Sequence, residues 1–222
     1  MGRAGWDIGW EQTGRLMRLV RICGARRGRR PVTTRPSKVP DTRPDLVNRQ
    51  FSADRPNRLW VADITYVRTL SGFVYTAFVT DVYSRKIVGW ATRSSMKTEV
   101  LPLQALEQAI ALAKDNLAGL VHHCDHGSQY TSITYNDKLT DYGIKPSTGT
   151  VGDSYDNALA ETVNGLYKSE LIYSQTCKTL SEVEFATMNW LYWWNNTRLH
   201  GSLDYSTLEE VIGDNPIQSN PR

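Results

Sequence analysis

A chain of 222 residues, 40% of them hydrophobic and 22% charged, is long enough for one sizeable domain plus appendages, and such a domain buries enough surface to fold without staples. Three scattered cysteines, Cys23, Cys124 and Cys177, form no C-x-x-C pair; this argues against a disulfide framework or a thiolate zinc site and points to a reducing cytoplasm. No apolar run approaches the roughly 18 to 20 residues that span a bilayer, and MGRAGWDIGWEQ lacks the basic-then-apolar order of a signal peptide, so no membrane partner is expected.

The net charge of +3 conceals a division along the chain. Residues 1–50 carry 12 Lys/Arg against 4 Asp/Glu, whereas residues 51–222 carry 14 against 19. A basic arm suits a polyanion such as DNA, because neutralised phosphates release condensed counterions; a solvated tail is the alternative that charge alone leaves open.

In chain order, QTGRLMRLVRICGA (12–25) places Leu16, Leu19, Val20 and Cys23 at helical spacing, predicting a short amphipathic helix ending near Gly24. Seven arginines, among them Arg26, Arg27, Arg29 and Arg30, and four prolines follow, and they predict an extended linker over 25–50. RLWVADITYVR, FVYTAFVTDVYS and KIVGWATR read as three antiparallel strands, with Ser71-Gly72 as the first turn. TEVLPLQALEQAIALAKD is a helix, GLVHHCD a buried strand and TSITYNDKLTDYG a helix closed by Gly143. A short strand at IKPS and the Gly-rich loop TGTVGDS lead to a helix over about Ser154–Ile172. A final helix opens on the capping box Thr179-Leu180-Ser181-Glu182 and runs to about Asn195. The order β-β-β-α-β-α predicts an α/β domain.

Three carboxylates stand out. Asp63 lies in the middle of the first strand, framed by Trp60, Val61, Ile64 and Tyr66, where aspartate is normally depleted. Asp125 ends the fourth strand, and Glu161 lies on the penultimate helix. If strands one and four are neighbours, the three can converge. On that helix Ser154, Asn157, Glu161 and Lys168 are assigned one polar face, and Leu159, Val163 and Leu166 the packed one. Hard oxygen ligands without soft ones match Mg²⁺, with Mn²⁺ as a substitute. Two such ions about 3.5 to 4 Å apart suit in-line displacement at a phosphodiester. The run His122-His123-Cys124-Asp125-His126 raises a zinc reading, but successive strand residues point to opposite faces.

WVADITYV, HHCDHGSQYTS, GDSYDNALAETVNGLYKSELI and NNTRLHGSL strongly resemble the integrase-like transposases of the insertion-sequence-three family, relatives of retroviral integrases. The resemblance runs from about Gln12 to Glu210, and the 35 residues between Asp125 and Glu161 match the family's spacing. It implies an RNase H-like core, a mixed five-stranded sheet flanked by helices, over 51–212. A basic helical arm would precede it over 1–50, and a tail would follow over 213–222. It also implies a metal-binding catalytic triad at Asp63, Asp125 and Glu161, and DNA contacts from Lys168 and Asn157, with the arm's arginines adding to them. Gln129 and Tyr130 belong to the second-Asp motif. Water would cleave at the element's end, and the freed 3′-hydroxyl would attack a target phosphodiester. Expected partners are transposon-end and target DNA, further copies of the chain, and an upstream helix-turn-helix transposase subunit, in the bacterial cytoplasm at the nucleoid.

Three departures from the pattern stand beside it: Met1 falls inside the pre-catalytic helical region, His126 stands where Arg is common, and Thr207-Leu208-Glu209-Glu210 replaces Thr-Pro-x-Glu. They raise a second hypothesis, a truncated, non-catalytic DNA-binding remnant. A third, a nuclease without strand transfer, is disfavoured by the flanking motifs. The aromatics Trp190, Tyr192, Trp193 and Trp194 suit packing of the last helix better than base stacking. Arg198 and His200 match a family motif from which no role follows.

Overall fold

The computed structural model describes residues 5–24, 43–96, 100–114, 116–125, 127, 129–149 and 157–213. The chain separates into two compact units, Met1–Arg30 and Pro31–Arg222. In the first, helix α1 (Trp10–Leu19) buries none of its residues. It stops short of Gly24 because Arg21 turns to a left-handed φ of 57° and donates its N–H to the Arg18 carbonyl. Arg26, Arg27, Arg29 and Arg30 lie outside the described residues.

The second unit is built on a five-stranded sheet in the order β3-β2-β1-β4-β5. The β-rich segments expected to pair do so: β1 (Leu59–Thr69), β2 (Gly72–Asp81) and β3 (Ile87–Arg93) form an antiparallel meander. Its first turn is Leu70-Ser71, one residue earlier than expected, because Thr69 Oγ1 bonds the Gly72 carbonyl at 2.8 Å. After helix α2 (Leu101–Ala113) the chain returns as β4 (Val121–Cys124), parallel to β1. After helix α3 (Ile133–Asp141) it adds β5 (Lys145–Thr148), parallel to β4.

One face of the sheet, carrying Trp60, Ala62 and Ala91, packs against Leu101, Leu106, Tyr135 and Leu139. Here Gly89 is obligatory: a Cβ would stand 2.0 Å from the Ala105 carbonyl, so α2 can lie directly on β3 only over a glycine. On the other face Val67, Phe78 and Ile87 meet α4 (Ala158–Glu170) and α5 (Leu180–Asn196) through Val163, Tyr167, Trp190 and Trp194. One bond of the expected capping box forms, Thr179 Oγ1 accepting from the Glu182 N–H at 3.3 Å, while the Glu182 carboxylate reaches one residue further back, to the Lys178 N–H at 2.7 Å. A short α6 (Leu208–Gly213) closes the described chain.

The expected boundary at residue 50 needs correction. Val47, only 6% exposed, is buried with Leu59, Val61, Val82 and Ala160, so residues 43–50 belong to the sheet-bearing unit. A proline-rich composition obscured an anchor that needs only one apolar side chain.

Candidate active site

The parallel pairing of β1 with β4 decides the site. Ala62 lies opposite Cys124, so Asp63 and Asp125 each stand one residue further along two neighbouring strands. Beyond that point β1 continues to Thr69 against β2 alone, and the carboxyl ends of parallel strands are where such sheets leave a crevice. The aspartate inside a strand is compensated locally: Asp63 Oδ1 accepts from the Ile64 N–H at 2.7 Å and Oδ2 from the Asn164 side-chain amide at 2.8 Å. Asp63 as a residue is half-buried. Burial of its carboxylate and the neighbouring negative charge of Asp125, with a smaller contribution from Glu161, nevertheless raise its pKa from 3.8 to about 8. The Ile64 and Asn164 hydrogen bonds oppose that rise without cancelling it.

Asp125 leads into a tight turn at Gly127. Its Oδ1 accepts from the Gly127 N–H at 2.9 Å, and a Cβ on Gly127 would approach that oxygen to 2.8 Å and Gln129 Oε1 to 3.0 Å. Tyr130 closes the turn by donating its backbone N–H to the Gly127 carbonyl at 2.9 Å. Burial, together with Tyr135, Asp63 and Asp125 nearby, holds its phenol well above the usual range. His126 lies outside the described residues.

The zinc reading fails for the reason the strand period gives. His122 Nε2 pairs with the Tyr135 hydroxyl at 3.0 Å in the core on one face, and burial drops its pKa to about 3. His123 Nδ1 pairs with Ser147 Oγ at 2.9 Å, and its ring meets Phe51 edge-on on the other.

Helix α4 brings Glu161 over β1. Its buried stripe is Ala160, Val163, Asn164 and Tyr167, whereas Leu159 and Leu166 are only partly covered, which rotates the expected packed face towards Asn164. Sequence reasoning missed Asn164. The available signal was position: it lies three residues after Glu161, one turn along the same side of the helix. Asn157 is 7% exposed and donates its amide to the Ala62 carbonyl at 3.1 Å, next to Asp63. That geometry makes it a brace on β1 and leaves little surface for the DNA contact expected of it. The Lys168 ammonium lies 4.4 Å from the centre of the Tyr66 ring.

Among the described residues no three His, Cys, Asp or Glu side chains form a ready group that could hold a metal ion. The donor chemistry nevertheless fits a hard divalent cation, because Asp63 is buried beside two further carboxylates that drive its pKa upward, and a cation would relieve that cost.

The aromatic helix serves the core. Trp190 and Trp194 are buried, while Tyr192 and Trp193 are exposed. Arg198 makes a forked pair with Glu170 at the end of α4, 2.7 Å at its shortest, and lies over the Trp194 ring; His200 Nε2 contacts the Trp194 carbonyl at 3.2 Å. The NNTRLHGSL motif therefore joins the end of α5 to the end of α4.

With this geometry in place, comparison with known proteins defines the class. The chain matches the integrase core domain over residues 53–154 and a second integrase core domain description over 142–207. Its fold is that of retroviral integrase catalytic cores. The magnesium complex of the HTLV-2 integrase catalytic core domain, trimeric form, superimposes with a TM-score of 0.56 at 20% identity, covering 72% of this chain and 99% of that one. The simian T-cell lymphotropic virus intasome gives 0.62 at 17% identity, covering 84% and 64%.

Nearer relatives carry the family. The transposase assigned to insertion sequence element IS986/IS6110 of Mycobacterium tuberculosis is 46% identical over 205 residues, 90% of this chain and 73% of the relative. The transposase for IS629 of Shigella sonnei is 50% identical over 197 residues, 89% and 65%. The chain belongs to the integrase-like transposases of the insertion-sequence-three family, a group of polynucleotidyl transferases.

Proposed function

We propose that the chain is the catalytic subunit that cuts insertion-sequence ends and joins them to target DNA, with Asp63, Asp125 and Glu161 as its metal-binding carboxylates. The observation that carries this reading is the placement of Asp63 and Asp125 one step beyond the paired ends of adjacent parallel strands, where Asp125 raises the cost of charge on Asp63. Mg²⁺, in two ions, with Mn²⁺ as a substitute, would supply charge neutralisation and an activated oxygen for in-line displacement. The magnesium in the structure of the HTLV-2 catalytic core supports that choice by analogy of fold.

The chain's own groups have separable tasks. The Ile64 N–H and the Asn164 amide orient Asp63, and the Gly127 N–H orients Asp125. Glu161 supplies a third oxygen donor from α4. Lys168, on the same helix, offers a cation to the phosphates of the DNA end, and the arm with Arg26, Arg27, Arg29 and Arg30 adds attraction of low sequence preference. The upstream helix-turn-helix subunit reads the ends, further copies complete the assembly, and the work takes place in the cytoplasm at the nucleoid.

The test follows labelled transposon-end DNA through 3′-end cleavage and joining in Mg²⁺ or Mn²⁺, with that upstream subunit supplied. Wild type should perform both steps, and removing residues 1–30, which carry Arg26, Arg27, Arg29 and Arg30, should reduce DNA affinity most at low salt. An inert wild type with either metal would instead favour the non-catalytic remnant.

A further inference from the structure

β4 ends at Cys124, whose partners across the sheet are Ala62 and Thr148, and Asp125 is the next residue. A guanidinium from outside the sheet meets the chain at this point. Arg43 Nη1 donates to Cys124 Sγ at 3.0 Å, and Nη2 approaches the Asp125 carbonyl at 3.4 Å, so one planar fork spans two consecutive residues. These two contacts reach a sulfur and a main-chain carbonyl, so they act on where Asp125 stands.

The arginine is itself held. Thr148, the last residue of β5, donates its N–H to the Pro44 carbonyl at 3.2 Å. Leu46 donates its N–H to Ser147 Oγ at 2.9 Å, and the same hydroxyl pairs with His123 Nδ1. Asp45 Oδ1 accepts the Val47 and Asn48 N–H groups at 2.9 and 3.0 Å, fixing a turn that delivers Val47 to its buried site. Phe51 meets the His123 ring edge-on. Residues 43–51 therefore grip His123, Cys124 and Asp125 in succession, through three kinds of contact, along the strand that presents the second carboxylate.

We infer that Arg43 is a positioning residue that sets Asp125 for metal binding and strand transfer, acting through Cys124 Sγ and the Asp125 carbonyl. The inference rests on the assignment of Asp125 as a catalytic carboxylate. Supporting groups of this kind typically change metal affinity by about ten- to a hundredfold. An ammonium at position 43 keeps the charge and loses the fork; a glutamine keeps an amide donor and loses the charge.

The experiment uses the full chain as wild type, Arg43→Lys, Arg43→Gln and Asp125→Asn. Calorimetry measures Mn²⁺ affinity, thermal unfolding measures stability without metal, and the joining of pre-cleaved ends is followed across a Mn²⁺ titration. Arg43→Lys should unfold within a few degrees of wild type, bind Mn²⁺ about tenfold more weakly and recover joining at high Mn²⁺, since the defect lies in ligand placement. Should Arg43→Gln unfold early, Ser147→Ala, which frees Leu46 and His123 but leaves Arg43 intact, should weaken Mn²⁺ binding in the same direction. Wild-type Mn²⁺ affinity and joining in both Arg43 variants, with Asp125→Asn inactive, would overturn the positioning role and leave the carboxylate assignment standing. An active Asp125→Asn would overturn the assignment itself.

Discussion

Two acidic centres lie on α4, nine residues apart, and they are solved in opposite ways. At the C-terminal end Glu170 is bracketed by the Arg198 guanidinium and the Trp190 indole N–H, which donates at 3.2 Å, so its charge is matched at short range. At the other end Glu161 faces a β1 where Asp63 stands beside Asp125 and is driven to about 8. Buried Asp81 belongs with Glu170: its oxygens accept from the Asn57 and Ser84 N–H groups and from the Ser84 hydroxyl. A carboxylate whose partners are built into the chain holds the fold together. One whose charged neighbours are other carboxylates suits a cation that arrives from outside.

The sharpest way to break that comparison is substitution where the carboxylates gather. Asp63→Asn, Asp125→Asn and Glu161→Gln should each reduce cleavage and joining to background while DNA binding, measured by filter retention, persists. Full activity in Glu161→Gln would remove Glu161 from the site.

At the compensated centre the loss should be stability. Arg198→Ala strands a largely buried Glu170, whose side chain is 17% exposed, and should cost about 2–3 kcal/mol, read as a lower denaturant midpoint with Mn²⁺ affinity unchanged.

Next comes the support for Asp63. Asn164→Ala removes a hydrogen bond that lowers the Asp63 pKa, so proton competition should increase and Mn²⁺ affinity fall about tenfold near neutral pH. The same group sets a pH dependence. Its folded pKa of about 8 lies above the reference of 3.8, so the folded state holds the proton more tightly than the unfolded one. The stability this group provides is therefore fully present below about pH 4 and declines as pH rises to about 8. Unfolding midpoints of the metal-free protein should fall over that window, the slope should be smaller in Asp63→Asn, and Mg²⁺ should raise the midpoint more at pH 8 than at pH 6. Identical slopes would contradict the burial of that charge.

The smallest effect is expected at Lys168. Its alanine variant should bind end DNA a few-fold more weakly, with a salt slope reduced by about one and Mn²⁺ affinity retained. An unchanged salt slope would take Lys168 off the phosphate backbone.

Much of this is legible in the amino-acid sequence. Alternation along RLWVADITYVR and FVYTAFVTDVYS located the meander, and the two-residue period separated His122 from His123. Less legible was anything that depends on which surface a side chain meets. The polar Asn164 joined the buried stripe of α4 because Asp63 waits beneath it, and Asn157 turned inward because the Ala62 carbonyl needed a donor. Proline and arginine around residues 43–50 read as linker, although Val47 and Arg43 are anchors.

By itself, then, the sequence determined the order of elements, the fold class, the family and the residue types able to carry the chemistry, because these follow from local periodicity, capping and motif spacing. Tertiary structure alone decided that β4 lies parallel to β1 in a register that sets Asp125 beside Asp63. It also decided that Arg198 matches Glu170 while the charged groups acting on Asp63 are the carboxylates of Asp125 and Glu161. Those outcomes depend on contacts between residues tens of positions apart. Whether a carboxylate is a structural partner or a ligand in waiting is fixed by the charges that folding brings to it.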